Sequence, residues 1–354
     1  MKKKFICELG PGNSYPGGIL TVINDYMNSG YLKQFKLKHI VTASKEHKLR
    51  TFLTSFFTLF LLLIKGQVAL VHLHMSERGS CVRACYYTIL SKMFKIPVII
   101  HSHGGEVIKY YNNLGIIRRT IFEKSMRMAD VMIVLTPGWK EFWQAFIPEN
   151  KMIVLPNFVN TPNVVNKKYY HDQKLNLLFL GYISNKKGVY DLIYSIKELV
   201  DDGYDNIVLR IAGNGEIDKC KDLISKLNLT DYISVLGWAN KQTKEYLLQV
   251  SDVLMLTSHY ESFGIVALEA LSYKVPVICG NQGFTKEIIT NNFDGYVVQT
   301  GDINDIANKI KLIKDNVEIF GQNGYEVVKS KYSEDVVMSK LKKVYNCFIK
   351  QQIN

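Results

Sequence analysis

The chain has 354 residues, 47% hydrophobic and 21% charged, which is enough for two globular domains with substantial cores. That balance excludes a disordered chain, a collagen-like fibre and a bundle of membrane-spanning helices. The net charge of +12 is lopsided, because residues 1–165 carry 21 Lys and Arg against 9 Asp and Glu, and the rest is balanced at 23 of each. Such a field draws an anionic partner, such as a membrane surface or a phosphorylated substrate. Nucleic acid is not expected, since no zinc knuckle, RNP-like motif or arginine-rich arm accompanies the charge.

In chain order, MKKKFICELGPG lacks the apolar core of a secretory leader, so no signal peptide is expected. KFICELG reads as a first strand, after which Gly17 and Gly18 open the helix GGILTVINDYMN and allow backbone to approach a ligand closely. The turn is not GxGxxG, which counts against a dinucleotide oxidoreductase. After the strand KHIVTAS comes TFLTSFFTLFLLLI, Thr51–Ile64, whose 14 uncharged residues fall short of the roughly 20 needed to cross a bilayer. It reads as a helix buried between a sheet and its neighbours, with a helix lying in a bilayer interface as the alternative.

VALVHLH, PVIIHSH and VMIVLT are further strands, with the helix ERGSCVRACYYTILSKMF among them. His72, His74, His101 and His103 stand at strand ends as two H-x-H pairs. No HExxH or CxxC accompanies them, so metal is not expected, and His103 reads as a hydrogen-bonding group of the site. Between Lys109 and Arg127, Arg118, Arg119, Lys124 and Arg127 mix with Tyr110, Tyr111 and Phe122, as a solvated helix face or a docking surface. The six cysteines (Cys7, Cys81, Cys85, Cys220, Cys279 and Cys347) show no metal or framework spacing and read as reduced core thiols in a reducing, cytoplasmic setting.

The Asn- and Pro-rich Pro156–Lys174 is the expected domain boundary. Beyond it LNLLFLG, IVLRIAG, ISVLGW, VLMLTS, PVICG and GYVVQT alternate with helical stretches such as KKGVYDLIYSIKELV and FGIVALEALS. Most of these runs are continuously apolar, as in parallel strands covered on both faces. The fold class is therefore α/β, with two doubly wound sheets in tandem. Ligands bind beyond the strand C-termini in such sheets, so two of them facing each other would make a cleft.

Two elements carry the chemistry. In ESFGIVALE, Glu261 and Glu269 are separated by seven residues, and Ser262, Phe263 and Gly264 are expected to open a helix whose free N–H groups suit a phosphate. Glu261 can accept hydrogen bonds from sugar hydroxyls, and Glu269 can hold both hydroxyls of a ribose. In FLGYISNKKGVYDLI, Lys187 before Gly188 can place a point charge on a diphosphate. No Asp-x-Asp stands at a strand end to hold a divalent ion there, and the pair Asp201–Asp202 reads as solvated, so no metal and no cofactor are expected.

Taken in order, PGGI, HSHGGE, PNFVN, FLGYISNKKGVYDLI, RIAGNGE, VLGW and SHYESFGIVALEALSYKVPVI resemble family 4 of the retaining GT-B glycosyltransferases over nearly the whole chain. The resemblance implies two Rossmann-like domains facing a central cleft. Residues 1–160 would bind the acceptor, residues 161–330 the nucleotide-sugar, and a helix in 331–354 would cross back to the first domain. It gives Glu269 the ribose, Glu261 the transferred sugar and Lys187 the phosphates. Main-chain contacts would come from Phe263, Gly264 and Ile265, with Ser262 beside them, while Gly17 and Gly18 would close over the diphosphate. His103 would contact the sugar near its reacting carbon. Tyr182 stands where the family usually has Arg, which removes one cation from the diphosphate site.

The implied activity is transfer of a hexose from a UDP- or GDP-sugar to a glycan hydroxyl with retained configuration, by front-face attack in which the leaving phosphate takes the acceptor proton. The basic first half, Arg118, Arg119 and the Thr51–Ile64 segment point to a lipid-linked acceptor at the cytoplasmic membrane face, in polysaccharide assembly. An idle nucleotide-sugar-binding partner and an epimerase or phosphorylase of the same fold are the alternatives.

Overall fold

The computed structural model describes residues 4–15, 17–162, 167 and 174–350. Most of the expected boundary segment, residues 163–166 and 168–173, lies outside the described residues. The chain divides into one compact unit of residues 1–157 with 334–354, and another of residues 158–333.

The first unit is built on a six-stranded sheet of β1 (Phe5–Pro11), β2 (Lys36–Ala43), β3 (Val68–Met75), β4 (Val98–Ser102), β5 (Val131–Val134) and β6 (Met152–Val154). All neighbours run parallel in the order β2-β1-β3-β4-β5-β6. Every residue of β3 is buried, as a strand with helices on both faces demands. The first three helices of this unit are α1 (Gly18–Asn28), α2 (Lys48–Ile64) and α3 (Gly79–Met93). The helix Glu334–Lys350 belongs to the same unit, burying Val337, Met338, Leu341 and Tyr345. Its first turn is tied down by Ser29, whose hydroxyl donates to Glu334 at 2.7 Å.

The second unit has a sheet of β7 (Leu175–Leu180), β8 (Ile207–Ala212), β9 (Ile233–Gly237), β10 (Val253–Leu256), β11 (Val277–Gly280) and β12 (Gly295–Val298). The order is β12-β11-β10-β7-β8-β9, again wholly parallel. From β7 the chain winds outward through β8 and β9, then returns to the other side of β7 with β10. The reversal between β7 and β10 is the switch point at which sheets of this kind open a crevice for ligands.

The structure departs from the sequence expectations in four places. The three-residue β6 was not expected, because KMIVL is too short to stand out beside its longer neighbours. The segment Thr51–Ile64 is helical but not enclosed: α2 buries Leu59, Leu62 and Leu63 and leaves its opposite face open to solvent. Cys347 is exposed, unlike the other five cysteines, which are buried free thiols. Ser262, Phe263 and Gly264 precede the helix rather than open it, and its first residue is Ile265.

Candidate active site

At the switch point of the second unit, the chain leaving β7 passes Tyr182, turns through a short 3-10 segment Asn185–Lys187 and enters the helix Val189–Asp201 at Gly188. Gly188 has φ 69°, and a Cβ there would lie 1.9 Å from the Thr257 carbonyl oxygen. Only glycine lets this loop lie so close to the end of β10. Thr257 holds the approach by donating from its hydroxyl to the Gly188 carbonyl at 2.9 Å. The loop thereby carries Lys187 to Glu261, with Nζ 2.6 Å from Oε2. Ser258 donates to the same carboxylate oxygen at 3.5 Å. Main chain pins Glu261 as well, since its carbonyl accepts from the Phe284 N–H at 2.8 Å.

After Glu261 the backbone turns at Gly264 (φ 79°), packed under Thr285, and starts the helix Ile265–Ser272. Phe263 is buried and sits edge-on to Tyr332, so only its main chain is available to a ligand. Glu269, one turn in, is paired with Lys244 of the neighbouring helix Lys241–Val250. Lys187 and Glu261 are thus brought into contact, and Glu269 stands apart with its own cation. Tyr182 is 60% exposed. Two residues that sequence reasoning passed over join this end of the sheet. The His259 ring binds Asp191 at 2.6 Å, and the His259 backbone N–H donates to the Lys186 carbonyl at 2.9 Å. Their signal was position alone, Asp191 in the turn after Lys187 and His259 two residues before Glu261.

In the first unit, Gly17 caps and Gly18 opens α1, the first helix after β1. His103 follows β4, and its backbone N–H donates to the Met75 carbonyl at 2.7 Å, joining the ends of β3 and β4. Behind it lies a buried polar chain. The His74 Nε2–H donates to Glu8 at 2.9 Å, and His74 Nδ1 lies 3.0 Å from His103 Nε2. The Tyr345 hydroxyl donates to Glu8 at 2.6 Å, and His72 Nδ1 lies 2.6 Å from that hydroxyl. Burial pushes the Glu8 carboxyl up, but the neighbouring His72 and the hydrogen bond from His74 outweigh it and hold it below the usual carboxylate range. Burial pushes His74 down to about 4, and His101 and His103 well below the ordinary histidine value.

Among the described residues, ring nitrogens of His72, His74 and His101 lie within 4.8 Å of one another. Both nitrogens of His74 and Nδ1 of His72 are already engaged by protein groups, and the rings of His72 and His101 stack at 9°. His72 Nε2 and both nitrogens of His101 have no hydrogen-bond partner among the described residues, so a cation there would meet them free and would reach His74 only by displacing Glu8 or His103.

Two family models tile the chain: "Glycosyltransferase Family 4" matches residues 27–162, and "Glycosyl transferases group 1" matches residues 163–327. With its two doubly wound parallel sheets, the chain is a glycosyltransferase of the GT-B fold class. More narrowly, it belongs to the family 4 glycosyltransferases. It is 27% identical to the capsular polysaccharide biosynthesis glycosyltransferase CapM of Staphylococcus aureus over 340 residues, covering 90% of this chain and 88% of CapM. It is 22% identical over 333 residues to the UDP-Gal:alpha-D-GlcNAc-diphosphoundecaprenol alpha-1,3-galactosyltransferase of Escherichia coli, covering 87% and 83%. Among solved structures, HepE of Anabaena in complex with UDP superposes with a TM-score of 0.77 at 15% identity, covering 97% of this chain and 100% of HepE.

Proposed function

We propose that the protein transfers a hexose from a UDP- or GDP-sugar to a hydroxyl of a lipid-linked glycan in cell-surface polysaccharide assembly, with retention of configuration and without a metal ion. The observation that carries this reading is the Lys187–Glu261 pair at the switch point of the second sheet, where a cation and a carboxylate stand together beside a helix start. The kinds of donor and acceptor named for the relatives support it.

In this reading Lys187, the Gly264–Ile265 main chain and Ser262 neutralise the diphosphate, the part that a divalent ion plays elsewhere. Glu261 accepts hydrogen bonds from hydroxyls of the transferred sugar. Glu269 takes the ribose, exchanging its bond to Lys244 for the two hydroxyls. In the first unit His103 holds a sugar hydroxyl near the reacting carbon, and Gly17 and Gly18 offer main chain to the diphosphate. The acceptor oxygen attacks the anomeric carbon on the face from which the diphosphate departs, and its proton passes to the leaving phosphate oxygen. The enzyme works on the cytoplasmic side of a membrane and needs no cofactor beyond its substrates.

A thermal-shift panel of nucleoside diphosphates and nucleotide-sugars tests the donor assignment. A ligand at 100 times its dissociation constant stabilises its site by about 2.7 kcal/mol. Stabilisation by UDP or GDP and their sugars, but not by nicotinamide dinucleotides, is expected. A flat response across the panel overturns the proposal.

A further inference from the structure

Arg83, in the second turn of α3, carries a charge that nothing around it answers. The side chain is half-buried, and its Nε is shut off from solvent without a hydrogen-bond partner among the described residues. The titratable groups that act on it are Tyr87, Tyr15 and Cys81, and no carboxylate is among them. Two half-buried lysines of the same unit are matched: Lys92 Nζ lies 2.9 Å from Asp130, and Lys140 Nζ lies 2.7 Å from Glu149. Arginine keeps its proton in a protein, so burial strips water from a full positive charge. A charge so placed is costly without a counter-charge, and an anion arriving from outside would remove that cost.

The surroundings identify that anion. Tyr15 follows β1, α3 follows β3 and His103 follows β4, so Arg83 stands at the end of the sheet where ligands bind. A Cβ on Gly79 would meet Arg83 Nη1 at 3.4 Å, so the guanidinium lies along the first turn of α3, which holds no acidic residue. Arg78, just before that turn, is held at φ 53°, a conformation that long side chains rarely adopt and that gathers at ligand sites. Its guanidinium is largely exposed and reaches Glu106 only at 3.5 Å. Lys45 joins the same rim, because its backbone N–H donates at 3.2 Å to the hydroxyl of Ser14, the neighbour of Tyr15. A guanidinium fork with two further cations on adjoining loops matches a phosphate, whose oxygens it can take in pairs. A neutral sugar leaves the charge unanswered.

We infer that Arg83 anchors a phosphate or diphosphate carried by the acceptor, with Arg78 and Lys45 adding charge at the rim. The first unit thereby selects its acceptor by an anion as well as by a sugar. This rests on the reading of the first unit as the acceptor lobe, and it uses no residue of the donor site.

Nuclear magnetic resonance of the full chain, labelled with nitrogen-15 arginine, provides the test. The Arg83 Nε resonance, identified by its loss in Arg83→Gln, is expected to shift on adding inorganic pyrophosphate. The shift should persist under saturating UDP and in Lys187→Ala, where the donor site is filled or crippled. Hexyl diphosphate, which carries the anion as an acceptor would, should move the same resonance. In the Lys187→Ala background, calorimetry should show pyrophosphate binding at least tenfold weaker once Arg83→Gln is added. Arg83→Gln removes no internal partner, so its unfolding temperature should not fall, whereas a purely structural arginine would lower it. A resonance that stays still overturns the inference. So does a shift abolished by UDP or by Lys187→Ala, since the anion then belongs to the donor. A shift with pyrophosphate but not with hexyl diphosphate overturns the acceptor role and leaves a site for free anions. Failure of UDP to bind anywhere would sink the donor assignment and leave the Arg83 shift as it was.

Discussion

His103 Nε2 lies 3.0 Å from His74 Nδ1, and this contact decides which nitrogen of His103 carries the proton. Ionised Glu8 can only accept, so His74 carries its proton on Nε2 and presents a bare Nδ1. His103 must then donate from Nε2, which leaves its Nδ1 as an acceptor, the character that the proposed function needs there for a sugar hydroxyl. Glu8, buried on β1, thus sets the chemistry of a residue after β4 through one intervening ring.

Glu8→Gln is the direct check. A glutamine amide donating to His74 Nε2 reverses both tautomers and turns His103 Nδ1 into a donor. Nitrogen-15 shifts of the imidazoles should report the reversal, and turnover should fall about tenfold for one mismatched hydrogen bond. Unchanged tautomers with full turnover would remove Glu8 from any positioning role.

The Lys187–Glu261 contact leads to a second expectation. Lys187→Ala and Glu261→Ala should each reduce transfer by on the order of 100-fold, the scale seen when one preorganised electrostatic group is removed. Both side chains are partly exposed, so little stability is at stake, and thermal unfolding should hardly move. Wild-type turnover in either variant would reject the assignment of this pair.

Gly188→Ala should act through the backbone. Its methyl group would collide with the Thr257 carbonyl while the residue is held at positive φ, a combination that costs more than about 1 kcal/mol. A lower unfolding temperature together with weaker nucleoside diphosphate binding is expected, because Lys187 is the next residue back. Normal binding in a destabilised protein would show that the loop holds its course without glycine.

Tyr182→Arg should restore a cation where the resemblance expects one. A charge-assisted hydrogen bond contributes roughly 1.5–3 kcal/mol, so affinity for a nucleoside diphosphate should rise about tenfold or more. Calorimetry reads this directly, and no change would place residue 182 outside the diphosphate's reach.

The buried histidines predict acid sensitivity. With burial holding His74 at about 4 and His101 and His103 well below their ordinary value, the folded state keeps all three neutral. The unfolded chain binds protons below pH about 6.5, so this stability is complete above that value and falls as pH drops toward 4. Each ring contributes a slope of about 1.4 kcal/mol per pH unit over that window. Thermal unfolding between pH 7 and 5 should show the fall, and His101→Phe should lessen it by one ring's share.

Much of the site was readable in the linear chain because its parts sit where strands end. The runs LNLLFLG and VLMLTS announced β7 and β10, and the residues just beyond them, Lys187 and Glu261, proved to touch. Other groups were not legible, for a physical reason. Glu8 in KFICELG looks like a polar interruption of a strand, and nothing local says that Tyr345, 337 residues later, will donate to it. The same holds for Lys244, whose bond to Glu269 depends on two helices meeting. Exposure of one face of α2 was hidden too, since the hydroxyls of TFLTSFFTLFLLLI gather on one side and its other positions are all apolar, so periodicity cannot tell a covered apolar side from an open one.

The return of the last helix to the first sheet sets a schedule for synthesis. Residues 1–157 leave the ribosome early, yet the hydroxyl that completes the Glu8 network arrives only with Tyr345, after residues 158–333 of the second unit have been made. The lobe made first is therefore the one finished last. A nascent chain stalled anywhere before that point carries an interior carboxylate that has His74 but still lacks the second of its donors, and a chain cut before Tyr345 would be left in the same condition.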